Sequence, residues 1–325
     1  MQTKRSRSDR LHRAYPPTAL RRAHPPATAA LLLVGAFVAG CQSLQTGGGD
    51  SILANVLEPF KAEDPSDLAR DMFDVSDADK RRHAVAQFSA ASFGGEETYL
   101  RTYRLLLGGE TTENKPKIVG APDSDATVRA AAVKALGLHG TVDDVAIILP
   151  RLDDDVPFVR WEAAKALTKI HNPIAIRPLM RKLHEHRPLG LPQTDTATNE
   201  RRGDDDPDVR RACAAALGQY ATPGVFDGLV GALDDGNYRV SYAARQSLVT
   251  LTGYDLGPEP GDWLLWAKKN RKELFKHQKI YTWQPYKTAK RLIDKVQFWK
   301  DDKPVPSRVP TGKKISARSH ARDKS

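Results

Sequence analysis

One stretch constrains the whole chain. From Asp123 to Gly140 it reads DSDATVRAAAVKALGLHG. Val128, Ala132, Ala135 and Leu136 fall at i, i+4, i+7 and i+8, one side of a helix with about 3.6 residues per turn. The stripe is built from small residues, so it predicts a helix that another helix approaches closely. Asp125 precedes the apolar run as a candidate N-cap, where a carboxylate accepts a backbone N–H. Gly137 stands near the point where such a helix can end in a left-handed residue.

The stripe recurs as Val159, Ala163, Ala166 and Leu167, then as Val209, Cys213, Ala216 and Leu217, then as Val240, Ala244, Ser247 and Leu248. The starts are 31, 50 and 31 residues apart, and the long interval holds 19 extra residues. Residues 186–204, HRPLGLPQTDTATNERRGD, are polar, carry two prolines and lack an apolar period, so they read as a loop insertion. A weaker first copy starts at Lys80, with Ala84 and Phe88 at i+4 and i+8. Second helices are expected between the copies, at Val142–Leu152, Ala175–His184 and Phe226–Leu233. A fixed period near 30 residues means a solenoid, whose units bury their faces only by stacking. The predicted fold class is all-α: an α-solenoid, an armadillo-like superhelix of about four to five helix pairs.

Asp125-Val128-Arg129-Leu136-Gly137, Val159-Arg160-Ala163-Leu167 and Asp206-Val209-Arg210-Leu217-Gly218 carry a family pattern. They resemble the short HEAT-like (PBS-lyase-type) repeats of bacteria, over about residues 76 to 267. The fourth copy departs from the pattern, with Ser241 where the arginine belongs. The resemblance implies that Arg129, Arg160 and Arg210 each reach an acidic group of the next repeat. It implies the fold and not a function.

The net charge of +10 is unevenly placed. Residues 1–40 hold +6 and residues 268–325 hold +13, which leaves the repeats between them at −9. In residues 1–40, seven basic residues precede an uncharged run from Pro25 to Gly40. At ~1.5 Å per residue that run is shorter than the ~30 Å of a bilayer core, as in a signal h-region. Val38-Ala39-Gly40-Cys41 then looks like the lipobox of bacterial lipoproteins. In that reading residues 1–40 are a lipoprotein signal peptide, Cys41 takes the lipid, and the protein faces the periplasm. The other reading is an ordinary signal or uncleaved anchor. Gln42 leaves either membrane open. Residues 41–75 are expected to form a spacer and a short helix, 76–270 the solenoid with insertions at 108–122 and 186–204, and 271–325 a basic aromatic extension, largely disordered after 301.

With Cys41 set aside, Cys213 has no partner for a disulfide, and its place in the stripe predicts a buried, inert thiol. Leu251–Asn270 breaks the period and predicts a closing helix, capped by Asp262, whose Trp263, Leu264 and Trp266 cover the last repeat. Beyond it, aromatic residues alternate with lysines and arginines. Such a segment meets anionic polymer or a membrane surface, or folds back onto the acidic repeats. Nucleic acid is not expected as a partner of a chain with an export signal.

No catalytic constellation is present as a motif: no G-x-S-x-G, no P-loop, no C-x-x-C. His184-Glu185-His186 is the one dense histidine cluster, and i,i+2 residues on a helix do not share a face. Deoxyhypusine hydroxylase repeats His-Glu pairs across facing units; here the pair occurs once. No cofactor, no metal site and no catalytic residue is expected. The expected function is a lipid-anchored envelope scaffold that binds another protein, one with a basic patch. The alternative is a tether to anionic envelope polymer or membrane through the extension, and the third an enzyme with a pocket in the solenoid. The candidate partner-binding residues are Arg187, Arg201 and Arg202 in the second insertion, and Trp283, Lys290, Arg291 and Trp299 in the extension.

Overall fold

A computed structural model describes residues 65–112, 115–184, 204–285 and 305–314. The described helices are α1 (Pro65–Asp71), α2 (Ala78–Ala90), α3 (Glu97–Leu106), α4 (Ala126–His139), α5 (Val145–Ile148), α6 (Pro157–Leu167), α7 (Ile176–Leu183), α8 (Pro207–Leu217), α9 (Pro223–Gly231), α10 (Tyr238–Thr252) and α11 (Pro260–Asn270). Short 3₁₀ turns extend α5 at Leu149–Asp153 and α9 at Ala232–Asp234, and precede α7 at Pro173–Ala175. Each long helix of the 31-residue pattern is therefore followed by a shorter one. α2, α4, α6, α8 and α10 pack in series as one layer, and α3, α5, α7 and α9 form the second. This is the α-solenoid that the period requires. Among the described residues no helix is long and apolar enough to cross a membrane.

Every residue of the four full stripes, from Val128 to Leu248, is buried. Small side chains at these positions let neighbouring helices come close. A Cβ on Gly137 would lie 2.7 Å from the Ala166 Cβ, and one on Gly218 would lie 2.7 Å from Ser247 Oγ. Gly137 is thus not the terminus that the sequence led us to expect. It lies inside α4, which runs on to His139, and its missing side chain is what α6 packs against.

The starts follow the expected chemistry. Asp125 accepts from the N–H of Thr127 and Val128, Asp206 from those of Asp208 and Val209, and Asn237 from that of Arg239. The left-handed C-terminal residue belongs instead to α10, where Gly253 has φ of 84° and lies too close to the His277 carbonyl for any side chain. α11 closes the stack: Trp263 is fully buried, meets Phe226 of α9 edge-on at 6.4 Å between centroids, and donates its indole N–H to the Gly257 carbonyl at 2.9 Å. Asp262 does not cap α11 as predicted. It sits in the first turn, and Glu259 ahead of the helix makes no side-chain bond to it.

Two segments differ from the sequence expectation. The first insertion is no plain loop: β1 (Gly109–Thr112) and β2 (Lys115–Ile118) form an antiparallel hairpin in which Gly109 faces Ile118 and Thr112 faces Lys115. Residues 305–314, expected to lack structure, lie bonded across the repeats. Thr311 bridges Ile170 in parallel and Arg308 bridges Trp283 in antiparallel pairing.

Candidate functional site

Two built features stand out on the stack: a buried polar spine, and a groove that the C-terminal extension helps to wall.

The spine repeats one bonding pattern at each junction. Arg129 places Nε 2.9 Å and Nη2 2.7 Å from the two carboxylate oxygens of Asp154. Arg160 does the same to Asp204 at 2.7 and 2.8 Å, and Arg210 to Asp235 at 2.8 and 3.0 Å. The third nitrogen, Nη1, donates backwards to the loop before its own helix: from Arg160 to the carbonyls of Asp154 and Asp155, from Arg210 to those of Asp204 and Asp205. Each aspartate also accepts the N–H two residues on, as Asp204 does from Asp206. The result is a continuous chain of planar, two-point contacts from repeat to repeat. Burial alone raises the carboxyls of Asp154, Asp204 and Asp235, but the arginine and backbone donors outweigh it and hold all three below the usual carboxylate range. The family resemblance implied three of these pairs. The fourth, Arg81 with Asp123 at 2.9 and 3.0 Å, was missed because Lys80 occupies the position that is valine in the other copies.

The groove, of about 500 Å³, lies between α8, α10 and the extended segment Ile280–Thr282. Tyr238 and Tyr242 stand one helical turn apart on α10 with ring centroids 5.9 Å apart, and Tyr238 is 76% exposed. Arg211 of α8 and Arg239 of α10 line the same groove and share one carboxylate, Asp208, at 3.2 and 2.9 Å.

A family model described as HEAT repeats matches residues 118–188 and 194–264, over α4 to α11. The chain is a HEAT-like repeat protein. No match is found among curated proteins. Two solved structures are similar to this HEAT chain: the X-ray structure of YibA of E. coli, 16% identical over 78% of this chain and 82% of that one with a TM-score of 0.43, and an engineered protein, 17% identical over 59% and 82% with a TM-score of 0.39. At those scores neither carries an argument. A HEAT solenoid is the fold of an interaction scaffold.

Across the HEAT helices the extension repeatedly donates to main-chain carbonyls. Thr311 N–H donates to the Lys169 carbonyl at 2.8 Å, Lys313 Nζ to the Gln219 carbonyl at 2.7 Å, Tyr281 Oη to the Ala215 carbonyl at 3.0 Å, and Lys279 N–H to the Thr250 carbonyl at 2.8 Å. All four acceptors lie in the last turn, or just past it, of α6, α8 or α10, where carbonyls lack an i+4 helical donor, Ala215 having only the Gly218 N–H at 3.3 Å, and the helix dipole is negative. Burial lowers Lys313 to about 8 and raises the Tyr281 phenol.

Of the predicted partner-binding residues, Trp283 is half-buried in this strap, paired through its backbone with Arg308 at 2.8 and 2.9 Å. Arg187, Arg201, Arg202, Lys290, Arg291 and Trp299 lie outside the described residues, as does Cys41. Cys213 is fully buried, and burial pushes its thiol up. His184 bonds the Gly228 carbonyl at 2.5 Å, and among the described residues no group of three His, Cys, Asp or Glu could hold a metal.

Proposed function

We propose that this HEAT-like solenoid is a scaffold of the bacterial cell envelope, anchored by lipid at Cys41, that binds another protein through the groove between α8 and α10. The observation that carries the binding reading is the exposed Tyr238–Tyr242 pair flanked by Arg211 and Arg239. Tyrosine and arginine are the side chains most enriched where binding energy concentrates. The acidic repeats as a whole suit a basic partner. In the groove itself two arginines share one carboxylate, so the segment that enters it supplies acceptors.

The extension also favours the scaffold over the tether. Tyr281 and Lys313, which an anionic surface would need, bond the repeats, and the Trp283 ring faces Lys169 at 5.5 Å. The anchor reading rests on Val38-Ala39-Gly40-Cys41 behind its uncharged run.

The test is a crosslinked pull-down from intact envelopes with the full chain and with Tyr238→Ala/Tyr242→Ala. A discrete protein retained at moderate salt by the first and lost from the second is expected; equal retention by both refutes the groove. Removing the extension is a poor substitute, because it would uncover four helix-end carbonyls. Labelled fatty acid incorporated by the full chain and not by Cys41→Ala tests the anchor.

A further inference from the structure

Buried polar atoms without a partner are few in a folded protein, and they are informative where they gather. Among the described residues six such side-chain atoms occur. Four of them, Trp161 Nε1, Glu162 Oε2, Lys169 Nζ and Trp283 Nε1, lie along α6 or on the segment that meets its end, linked by Lys165 and Lys169. Trp161, Lys165 and Lys169 follow at i, i+4 and i+8 along and just past α6, so they share a face. Lys165 Nζ lies 3.7 Å from the Trp161 ring centroid and bonds Glu162 at 3.0 Å. Lys169 Nζ lies 5.5 Å from the centroid of Trp283, which the strap brings in, with Arg308 at 6.0 Å from the same ring.

The sign of this cluster is clear. Its orphans are three donors, one ammonium and two indole N–H groups, against a single acceptor. Lys169 is only 5% exposed, and the charges acting on it are Lys165 and Lys134 against Glu162. Burial, reinforced by those two lysines, lowers it to about 8. The ring faces stabilise a cation, but they accept no full hydrogen bond in place of water. A buried ammonium with no hydrogen-bond acceptor is poorly satisfied, and Glu162, the carboxylate acting on it, is already bonded to Lys165. The cover over it is light: one backbone pair between Trp283 and Arg308, and the two bonds of Thr311 to Lys169 and His171.

We propose that the lysine–tryptophan cluster around Lys169 binds a small oxyanion, of the phosphate or carboxylate class. The ammonium supplies the charge, and the indole N–H groups of Trp161 and Trp283 are the donors at its two ends. The Glu162 carboxylate acts against an anion, and its bond to Lys165 at 3.0 Å offsets that charge. The strap closes over the ligand through Trp283, so occupancy and strap docking reinforce one another.

The experiment titrates the full chain with sulfate, whose charge is constant from pH 6 to 9, then with inorganic phosphate and with acetate. Sodium chloride at matched ionic strength separates binding from screening. Tryptophan emission and thermal midpoint are read together. The expected result is a saturable response to sulfate and phosphate, or to acetate if the natural group is a carboxylate. It should be accompanied by proton uptake at pH 8 and weakened at least tenfold in Lys169→Met. Trp161→Phe/Trp283→Phe keeps the charge, removes both N–H donors, and should weaken binding severalfold. No saturable response to any of the three anions overturns the site. So does unchanged affinity in either variant, and the tryptophan pair decides the matter if the lysine variant fails to fold.

Discussion

Replacing Arg160 by methionine keeps the apolar stem of the side chain and removes five hydrogen bonds at the centre of the spine. Two go to Asp204, one to Asp205, and one each to the carbonyls of Asp154 and Asp155. Asp204 is buried, and breaking one partner of a buried pair costs about 3–5 kcal/mol because the other charge is left behind. Lys182 stays 3.6 Å from Asp204 and softens that loss, while two loop carbonyls lose a donor at about 1 kcal/mol each. With Lys182 returning about 1 kcal/mol, the expected destabilisation is about 4–6 kcal/mol. In a stack where each repeat contacts its neighbours, a weakened junction should also split the unfolding. Urea denaturation of Arg160→Met should show two transitions where the parent shows one. Amide exchange should separate α2–α6 from α8–α10. Arg160→Met/Asp204→Asn should cost less than the two single changes summed, because the double change leaves no unpaired buried charge. A loss below about 1 kcal/mol, or strict additivity, would refute the claim that this pair couples the repeats.

Acid should dismantle the same spine. Asp154, Asp204 and Asp235 have depressed folded values, so their stabilisation is complete above about pH 4 and fades as pH falls through those values. Urea midpoints at pH 3 should be far below those at pH 7, with little effect of added salt on the difference. Lys169 acts in the same direction at higher pH: its folded value near 8 is below the usual 10.5, so the unfolded chain binds more protons between the two and stability rises with pH there. The parent should gain about 2 kcal/mol over Lys169→Met between pH 8 and pH 10, and a constant gap would sink the assignment. Trp263→Ala removes the buried indole that closes the stack and should cost about 3–5 kcal/mol, with amide protection lost first in α9 and α10.

The stacked helices were legible because their code is local. Val128, Ala132, Ala135 and Leu136 set out a face by spacing alone, and three repetitions fix the period. The hairpin at 109–118 was not, because GETTENKPKI shows neither alternation nor a two-residue turn signal. The strap was hidden for a different reason. Its acceptors are main-chain oxygens of Lys169, Ala215, Gln219 and Thr250, and any residue carries one. Only their position at helix ends makes them available, and that emerges once the helices are stacked. The groove needed both: Tyr238 and Tyr242 could be seen as an i,i+4 pair, whereas the wall formed by Ile280–Thr282 is a product of the fold.

The strap also sets an order in time. Repeat arrays ordinarily mature from one end to the other, since each new unit needs only the one before it. Here Ile170, in the middle of the array, is tied to Thr311, 141 residues further along and beyond the last repeat. As the chain is synthesised, α6 and α8 can assemble early, but their helix ends stay open to water until residues 311–313 have been made. The long loop that must then close raises the contact order of an otherwise local fold and delays its final step. A ribosome-bound chain interrupted before residue 305 would present stacked repeats with unclosed edges, the state in which a chaperone or a second copy finds most to hold.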